Sequence, residues 1–403
     1  MAKPLEGLRV LDLSHVIAGP LASFYLAQMG AEGIKVESPQ GGEVMRAQRG
    51  AGAATDTPDG FVALNAGKKS LAIDIRSSRG AGTVRELAKT ADVFIENFRP
   101  GVVRKYGLDY ASIVEIKSDI VYCSISGYGQ EGEWSGRGAY DHVMQALTGM
   151  MLVTGNEADG PPVKVGFPVI DVAVGMLSAL AIVSSIHRRD REGRGQYVDA
   201  SMAQAALALM YPLTSSALTT GKEAERIGNR GYSGSPTADT YQCADGWLST
   251  AANTPPQFRE LARVLGVEAL CSDARALDLD AFNAPNGGFV VARDLDYVRS
   301  RIRDAFRLRS AAEMETELNA VGVPAARVRG LGEFLRETVG KDKLTLPVFQ
   351  FAQGGRAVRT AGLGFHLAEE GGASAHAAPS LGADNGEILA KLEADTRRRA
   401  HAK

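Results

Sequence analysis

The chain has 403 residues, 45% of them hydrophobic and 23% charged. That is enough apolar material for more than one core, since single cores stop growing near ~250–300 residues, and it excludes a disordered or fibrous protein. Lys and Arg number 45 against 47 Asp and Glu, a net charge of −2, so the overall balance points to no nucleic acid and no anionic membrane surface.

Along the chain, the amino terminus shows no apolar run of signal-peptide type and leads straight into a strand pattern. Short β-branched runs lie at 8–13, 33–37, 70–75, 92–98, 120–126 and 196–202, with helical patterns such as 20–30 and 80–90 between them. The alternation predicts an α/β fold of βαβ units around a parallel sheet, buried on both faces. The apolar stretch 172–186 is interrupted by Gly175 and falls short of the ~20 residues of a membrane span, so it reads as a core helix. Residues 203–222 predict a long helix followed by Ser/Thr-rich sequence, and 227–237, IGNRGYSGSPT, a glycine-rich loop. A strand around Ala244-Asp245-Gly246 and a helix at 257–265 open a smaller α/β unit that ends near Gly322-Val323-Pro324. Further strand-like pieces, a helix at 385–392 and a frayed basic tail from Thr396 complete the chain. Cys123, Cys243 and Cys271 are widely spaced with no CxxC pair, which argues against a disulfide framework or structural zinc and fits a reducing, cytoplasmic compartment.

Three places offer chemistry. His15-Val16-Ile17-Ala18-Gly19-Pro20 follows the first strand, and Pro20 suits a first helical turn because its missing N–H would be unpaired there. Backbone N–H groups at such a start favour an anion or a thioester carbonyl, although an ordinary βα turn reads the same way. No GxGxxG is present, which counts against a dinucleotide. Second, Arg46, Lys68, Lys69, Arg76, Arg99, Arg104 and Lys105 fall near strand ends, and Asn97-Phe98-Arg99-Pro100-Gly101 closes the fourth strand where ligands of open α/β sheets lie. A phosphate-rich ligand with an adenine ring would use these cations together with Phe98. Singly, each cation equally fits a solvated surface. Third, Asp171 separates the apolar VGFPVI from the core helix; there a carboxylate serves as an N-cap or as a nucleophile kept ionised by the helix dipole. The sequence holds no HExxH and no GxSxG, and His142 reads as a packed or surface residue, so no metal is expected.

The segments PLEGLRVLDLS at 4–14, His15 through Pro20, QMGAEGIKVE at 28–37, NAGKKSLAIDI at 65–75, ENFRPG at 96–101, GRGQYVDASM at 193–202 and GVPAARV at 322–328 resemble the family III CoA transferases. This CaiB/BaiF type is typified by formyl-CoA transferase, and the likeness extends over nearly the whole chain. It implies a Rossmann-like large domain over 1–202, a linker helix and glycine-rich loop over 203–235, a small domain over 236–325, and a return linker with the rest of the large domain over 326–403. It also implies an interlocked homodimer whose ligands are coenzyme A, as acyl-CoA, and carboxylic acids, with no membrane or nucleic-acid partner.

The same resemblance makes Asp171 the catalytic carboxylate. It places His15, Ile17, Ala18, Ile73, Arg76, Asn97, Phe98, Arg104, Lys105 and Tyr106 in the CoA site, Arg46 close by, Tyr140 near the acyl end, and Gly231-Tyr232-Ser233-Gly234-Ser235 in a mobile loop. The implied reaction moves CoA from an acyl-CoA such as succinyl-CoA to a small acid, through an aspartyl anhydride and an aspartyl–CoA thioester. Formyl-CoA transferases carry glutamine at the place of Ile17, arginine at Ser38, tryptophan at Gln48 and glycines at Tyr232–Ser235, so these departures argue for an acid larger than formate or oxalate. The alternative is an α-methylacyl-CoA racemase-type isomerase on the same fold. Those enzymes pair an aspartate with the histidine of a Gly-His-Asp sequence, where this chain has Ala139-Tyr140-Asp141. A phenol, ordinarily ionising near ~10, is a poor substitute for that histidine.

Overall fold

The computed structural model describes residues 3–47, 57–156, 160–231, 234–285, 287–367 and 376–401. The chain divides into two units, one of Met1–Leu152, Pro162–Ala224 and Leu346–Lys403, the other of Val153–Pro161 and Glu225–Thr345.

The first unit is built on six parallel strands: β1 Arg9–Asp12, β2 Glu32–Glu37, β3 Lys69–Ala72, β4 Val93–Glu96, β5 Val121–Ser126 and β6 Gln196–Ser201. Their order, β3-β2-β1-β4-β5-β6, is the doubly wound Rossmann order, with its topological switch between β1 and β4. Each strand is nearly continuous in apolar residues because both faces are covered. Val10, Ile95 and Cys123 pack into one core, whereas Leu11, Phe94 and Tyr122 pack into the other. The open edge at β3 is closed by the chain's return. The Ser70 and Ala72 N–H groups donate to Asp384 and Asn385, both at 2.8 Å, which supplies the partners an edge strand otherwise lacks.

The helix Val169–Glu192 runs 24 residues, longer than the apolar stretch suggests, and by length and composition alone it is long enough to cross a bilayer. Ten of its residues are buried, so the larger part of one face is core. Gly175 is not an interruption but a contact point: a Cβ there would stand 2.7 Å from the Ala18 carbonyl oxygen, so this helix and Ala18–Gln28 cross at backbone distance.

Three local expectations are corrected. Residues 203–222 form two helices, Met202–Leu209 and Tyr211–Thr220, because Pro212 fits a helix start but not a helix interior. The Ala244–Gly246 segment is the turn between β7 Asp239–Gln242 and β8 Trp247–Thr250, closed by the Cys243 N–H on the Gly246 carbonyl at 2.8 Å. The carboxyl-terminal helix, expected over 385–392, runs from Asn385 to His401.

In the second unit, β7, β8 and β9 Ala325–Arg327 form an antiparallel sheet. Phe258, Leu261, Ile302, Phe306 and Leu318 from the helices Pro255–Leu265, Leu295–Arg307 and Ala311–Ala320 enter the same core as Leu248 of the sheet. The unit extends to Thr345, and Arg327 and Arg329 bind Glu315, Glu333 and Glu337 along that extension. A hairpin of β10 Val348–Gln353 and β11 Arg356–Ala361 belongs to the first unit and lays Phe349 and Phe351 against Phe24 and Phe61.

Candidate active site

At a switch point the connections after two neighbouring strands leave in opposite directions and open a crevice at their carboxyl ends. Here the two ends are tied directly. The His15 N–H donates to Asn97 Oδ1 at 2.9 Å, and Asn97 Nδ2 donates to the His15 carbonyl at 2.8 Å, so one amide side chain mimics a peptide pairing across the crevice. The next residue, Val16, has φ of +68°, a left-handed conformation that a β-branched side chain adopts only under constraint. Glu43 supplies that constraint by accepting the Val16 N–H at 2.7 Å. Gly19 is required by close approach, since a Cβ would fall 2.2 Å from that of Ser14. With the His15 and Val16 N–H groups committed, the donors left in this turn are the N–H groups of Ile17, Ala18 and Gly19, since Pro20 has none.

Beneath the turn lies a fully buried ion network. Lys68 Nζ binds Asp12 at 3.0 Å and Lys35 Nζ binds Glu43 at 2.7 Å, with the hydroxyls of Ser14 and Ser23 on Asp12. Burial pushes the Asp12 carboxyl up, but Lys68, Lys35 and the two hydroxyls outweigh it and hold Asp12 well below the carboxylate range. Burial also pushes His15 down, which keeps its imidazole neutral at pH 7.

Two cavities open above this floor. One, of about 570 Å³, is walled by His15, Ser38, Ile73, Arg76, Phe98 and Tyr106; the other, of about 420 Å³, by His15, Ile17, Ala18, Asn97, Phe98, Arg99, Arg137, Tyr140 and Asp171. His15, Phe98 and Val102 belong to both walls, so a long ligand can lie across them. The 570 Å³ cavity suits a nucleotide-sized group, and the 420 Å³ cavity leads to the carboxylate.

Asp171 is not the N-cap of its helix. Pro168 occupies that position without a side-chain bond, and Asp171 stands in the first turn. The cap comes from Asp141, whose Oδ2 accepts the N–H groups of Ile170 at 2.7 Å and Asp171 at 3.1 Å. Burial, then the Asp141 charge, push the Asp171 carboxyl up to about 6, so the helix terminus does not hold it at an ordinary carboxylate value. At pH 7 it is still mostly ionised, and a carboxylate with a raised value is a better nucleophile than an ordinary one.

The cations sort by partner. Lys68 is structural, and so is Arg46, which forks onto Glu37 at 2.6 and 2.8 Å, lies over the Phe61 ring and lines neither cavity. Lys69 binds Glu32 and Glu387. Arg76 lines the larger cavity while paired with Asp74 at 2.9 Å; an exposed pair of that kind is readily exchanged for a ligand phosphate. Arg104 and Lys105 are exposed on the turn that carries Tyr106 and line neither cavity; Arg104 stands 3.7 Å from Asp109. Gly231 and Gly234 belong to the second unit, where the Gly231 N–H donates to the Ala238 carbonyl at 2.7 Å. Tyr232, Ser233 and Gln48 lie outside the described residues. His142 is exposed and lines neither cavity.

Sequence reasoning did not single out Arg137, Asp141, Gln145, Glu43 or Glu96. Glu96, buried at the end of β4, accepts the Phe98 N–H at 2.9 Å, and burial pushes it up to about 7. An acidic residue opening an amphipathic helix directly after Tyr140 was the one available signal for Asp141. Among the described residues no group of three His, Cys, Asp or Glu side chains is placed to hold a metal, and the three cysteines are free thiols.

The signature described as CoA-transferase family III matches residues 5–385. The chain is 38% identical over 279 residues to the succinate–glutarate CoA-transferase of Agrobacterium fabrum, covering 68% of this chain and 69% of that protein. It is 31% identical over 406 residues to the succinyl-CoA:mesaconate CoA-transferase of Haloarcula marismortui, covering 97% of each. Among solved structures it is similar to a CaiB/BaiF family protein from Brucella suis, with a TM-score of 0.82 and 28% identity over 97% of this chain and all of that one.

Proposed function

The chain belongs to CoA-transferase family III and is a CoA-transferase, and from that premise we propose that it moves CoA from succinyl-CoA to a small dicarboxylic acid through transient acylation of Asp171. The observation that carries this reading is a carboxylate with a raised proton affinity set in the wall of a cavity that adjoins a nucleotide-sized one. The relatives' names supply the acids: both use a succinyl or succinate partner with a second dicarboxylate. Arg99 and Arg137 in the same wall favour an acid with a second carboxylate, and neither has a carboxylate partner within ion-pair distance among the described residues.

In this mechanism an Asp171 oxygen attacks the thioester carbonyl, the C–S bond breaks, and an acyl–aspartyl anhydride and CoA thiolate result. The thiolate attacks the aspartyl carbonyl, releasing the donor acid as its carboxylate and leaving an aspartyl–CoA thioester. The acceptor carboxylate then attacks that thioester carbonyl, expelling the thiolate and forming a second anhydride. Thiolate attack on the acceptor carbonyl forms the new acyl-CoA and returns Asp171 as a carboxylate, with no net proton or water consumed. The N–H groups of Ile17, Ala18 and Gly19 at the start of Ala18–Gln28 are the donors available for each oxyanion, an effect worth roughly 3–4 kcal/mol per donor.

Self-association also belongs to this reading. Met176, Leu177 and Leu180 on the long helix and Leu207, Leu209 and Leu218 after it leave exposed apolar surface, which a second copy of the chain would cover. Proton exchange at the α-carbon is less well supported, because the Gly-His-Asp position holds Tyr140, whose phenol stands in the wall with Asp171 where that reaction needs an imidazole. Incubation with succinyl-CoA and a panel of acids, read by mass spectrometry of the CoA esters, tests the assignment. New CoA esters without solvent deuterium at the α-carbon support transfer; deuterium without new esters supports the isomerase.

A further inference from the structure

Asp141 opens the helix Asp141–Leu147, and its two oxygens face different ways. Oδ2 takes the Ile170 and Asp171 N–H groups, while Oδ1 takes Gln145 Nε2 at 2.5 Å, one turn along its own helix. Gln145 is completely buried, and its Oε1 accepts the Val165 N–H at 2.8 Å. One carboxylate and one amide therefore hold both ends of the segment 165–171. The need is plain from the sequence: a helix leaves its first N–H groups unpaired, and Pro168 has no side-chain oxygen to offer them.

We propose that Asp141, oriented by Gln145, is a positioning residue that caps the nucleophile's helix from outside and fixes where the Asp171 carboxylate stands. The proposal rests on reading Asp171 as the acylated group. An Asp or Asn at a residue's own N-cap would satisfy the same donors, so the placement on a separate helix needs a reason. A cap delivered from Asp141–Leu147 couples the first turn to Tyr140 and the cavity wall, and it brings a second negative charge beside Asp171. That charge favours the protonated form of Asp171 at low pH and strengthens its carboxylate as a nucleophile above it. The other titratable or charged groups facing Asp171 across the cavity are His15, Arg99, Arg137 and Tyr140.

The test compares Asp141→Asn with Asp141→Ala in the full-length enzyme, using succinyl-CoA and an acid the wild type accepts. Asp141→Asn keeps an oxygen for the cap and removes the charge. The acid limb of kcat/KM is expected to move down by roughly half to one pH unit, with a plateau several-fold lower. Asp141→Ala leaves two helix donors open, and kcat is expected to fall about a hundredfold while KM for succinyl-CoA changes little; recovery of part of that loss by Asp141→Asn separates the cap from the charge. An Asp141→Asn limb that coincides with the wild type, or Asp141→Ala turnover within twofold of it, overturns the proposal. If Asp141→Ala does not fold, Gln145→Met replaces it, since releasing Oδ1 predicts the same fall in kcat at constant KM. Mass analysis of quenched wild type keeps the two readings apart: an adduct on Asp171 with an unmoved Asp141→Asn limb sinks only the positioning role, whereas no adduct on Asp171 sinks the nucleophile itself.

Discussion

Asp12 and Asp171 are both carboxylates withdrawn from water in the same unit, and they differ in what faces them. Asp12 is ion-paired with Lys68, takes two hydroxyls and is held below the ordinary range; Asp171 is in no ion pair among the described residues, and burial together with the charge of Asp141 pushes it up to about 6. The first arrangement fixes the floor of the crevice, and the second leaves a carboxylate with unspent reactivity. Burial without an ion-paired cation raises a carboxylate, as at both Glu96 and Asp171, and of these two only Asp171 stands in a cavity wall where a substrate can reach it.

Breaking each side of this contrast gives opposite results. Asp171→Asn is expected to lower kcat at least about a thousandfold with binding of CoA nearly unchanged. Because the folded value lies above the unfolded one, ionised Asp171 costs stability as pH rises through that interval. The same variant should therefore be more stable to denaturant at pH 7, by up to about 3 kcal/mol. Lys68→Met does the reverse: it leaves Asp12 buried and unpaired and should cost about 3–5 kcal/mol in denaturant unfolding. For Asp12, whose folded value is depressed, stability is present above the unfolded carboxylate range and is lost as pH falls through the folded value.

The pH profile sharpens the comparison further. With Asp171 required as carboxylate, kcat/KM should fall tenfold per unit below about 6, and Glu96→Gln should leave that limb in place. The smallest effect belongs to the exposed cation: Arg76→Ala should raise KM for the acyl-CoA several-fold and leave kcat alone, as measured by initial rates at saturating acceptor.

The six strands were legible because parallel strands buried on both faces write themselves as short apolar runs, and 8–13 or 120–126 needs no knowledge of its neighbours. The turn at Ala244–Gly246 was misread as strand because hairpin partners and their turn share one polar-apolar pattern, which only the pairing of β7 with β8 resolves. The crevice itself followed from strand order and could be expected at the ends of β1 and β4. Its cations could not be ranked from sequence, since Arg46 and Lys68 are neutralised by Glu37 and Asp12, residues brought to them by the sheet. Asp141 escaped notice for the same reason: the donors it caps lie 29 and 30 residues along the chain.

The most direct measurement is mass spectrometry of enzyme quenched during turnover with succinyl-CoA and then digested. The account predicts a CoA thioester, or its hydroxylamine-trapped derivative, on the peptide containing Asp171. Turnover that proceeds with that peptide unmodified, or with the adduct on another residue, would contradict it.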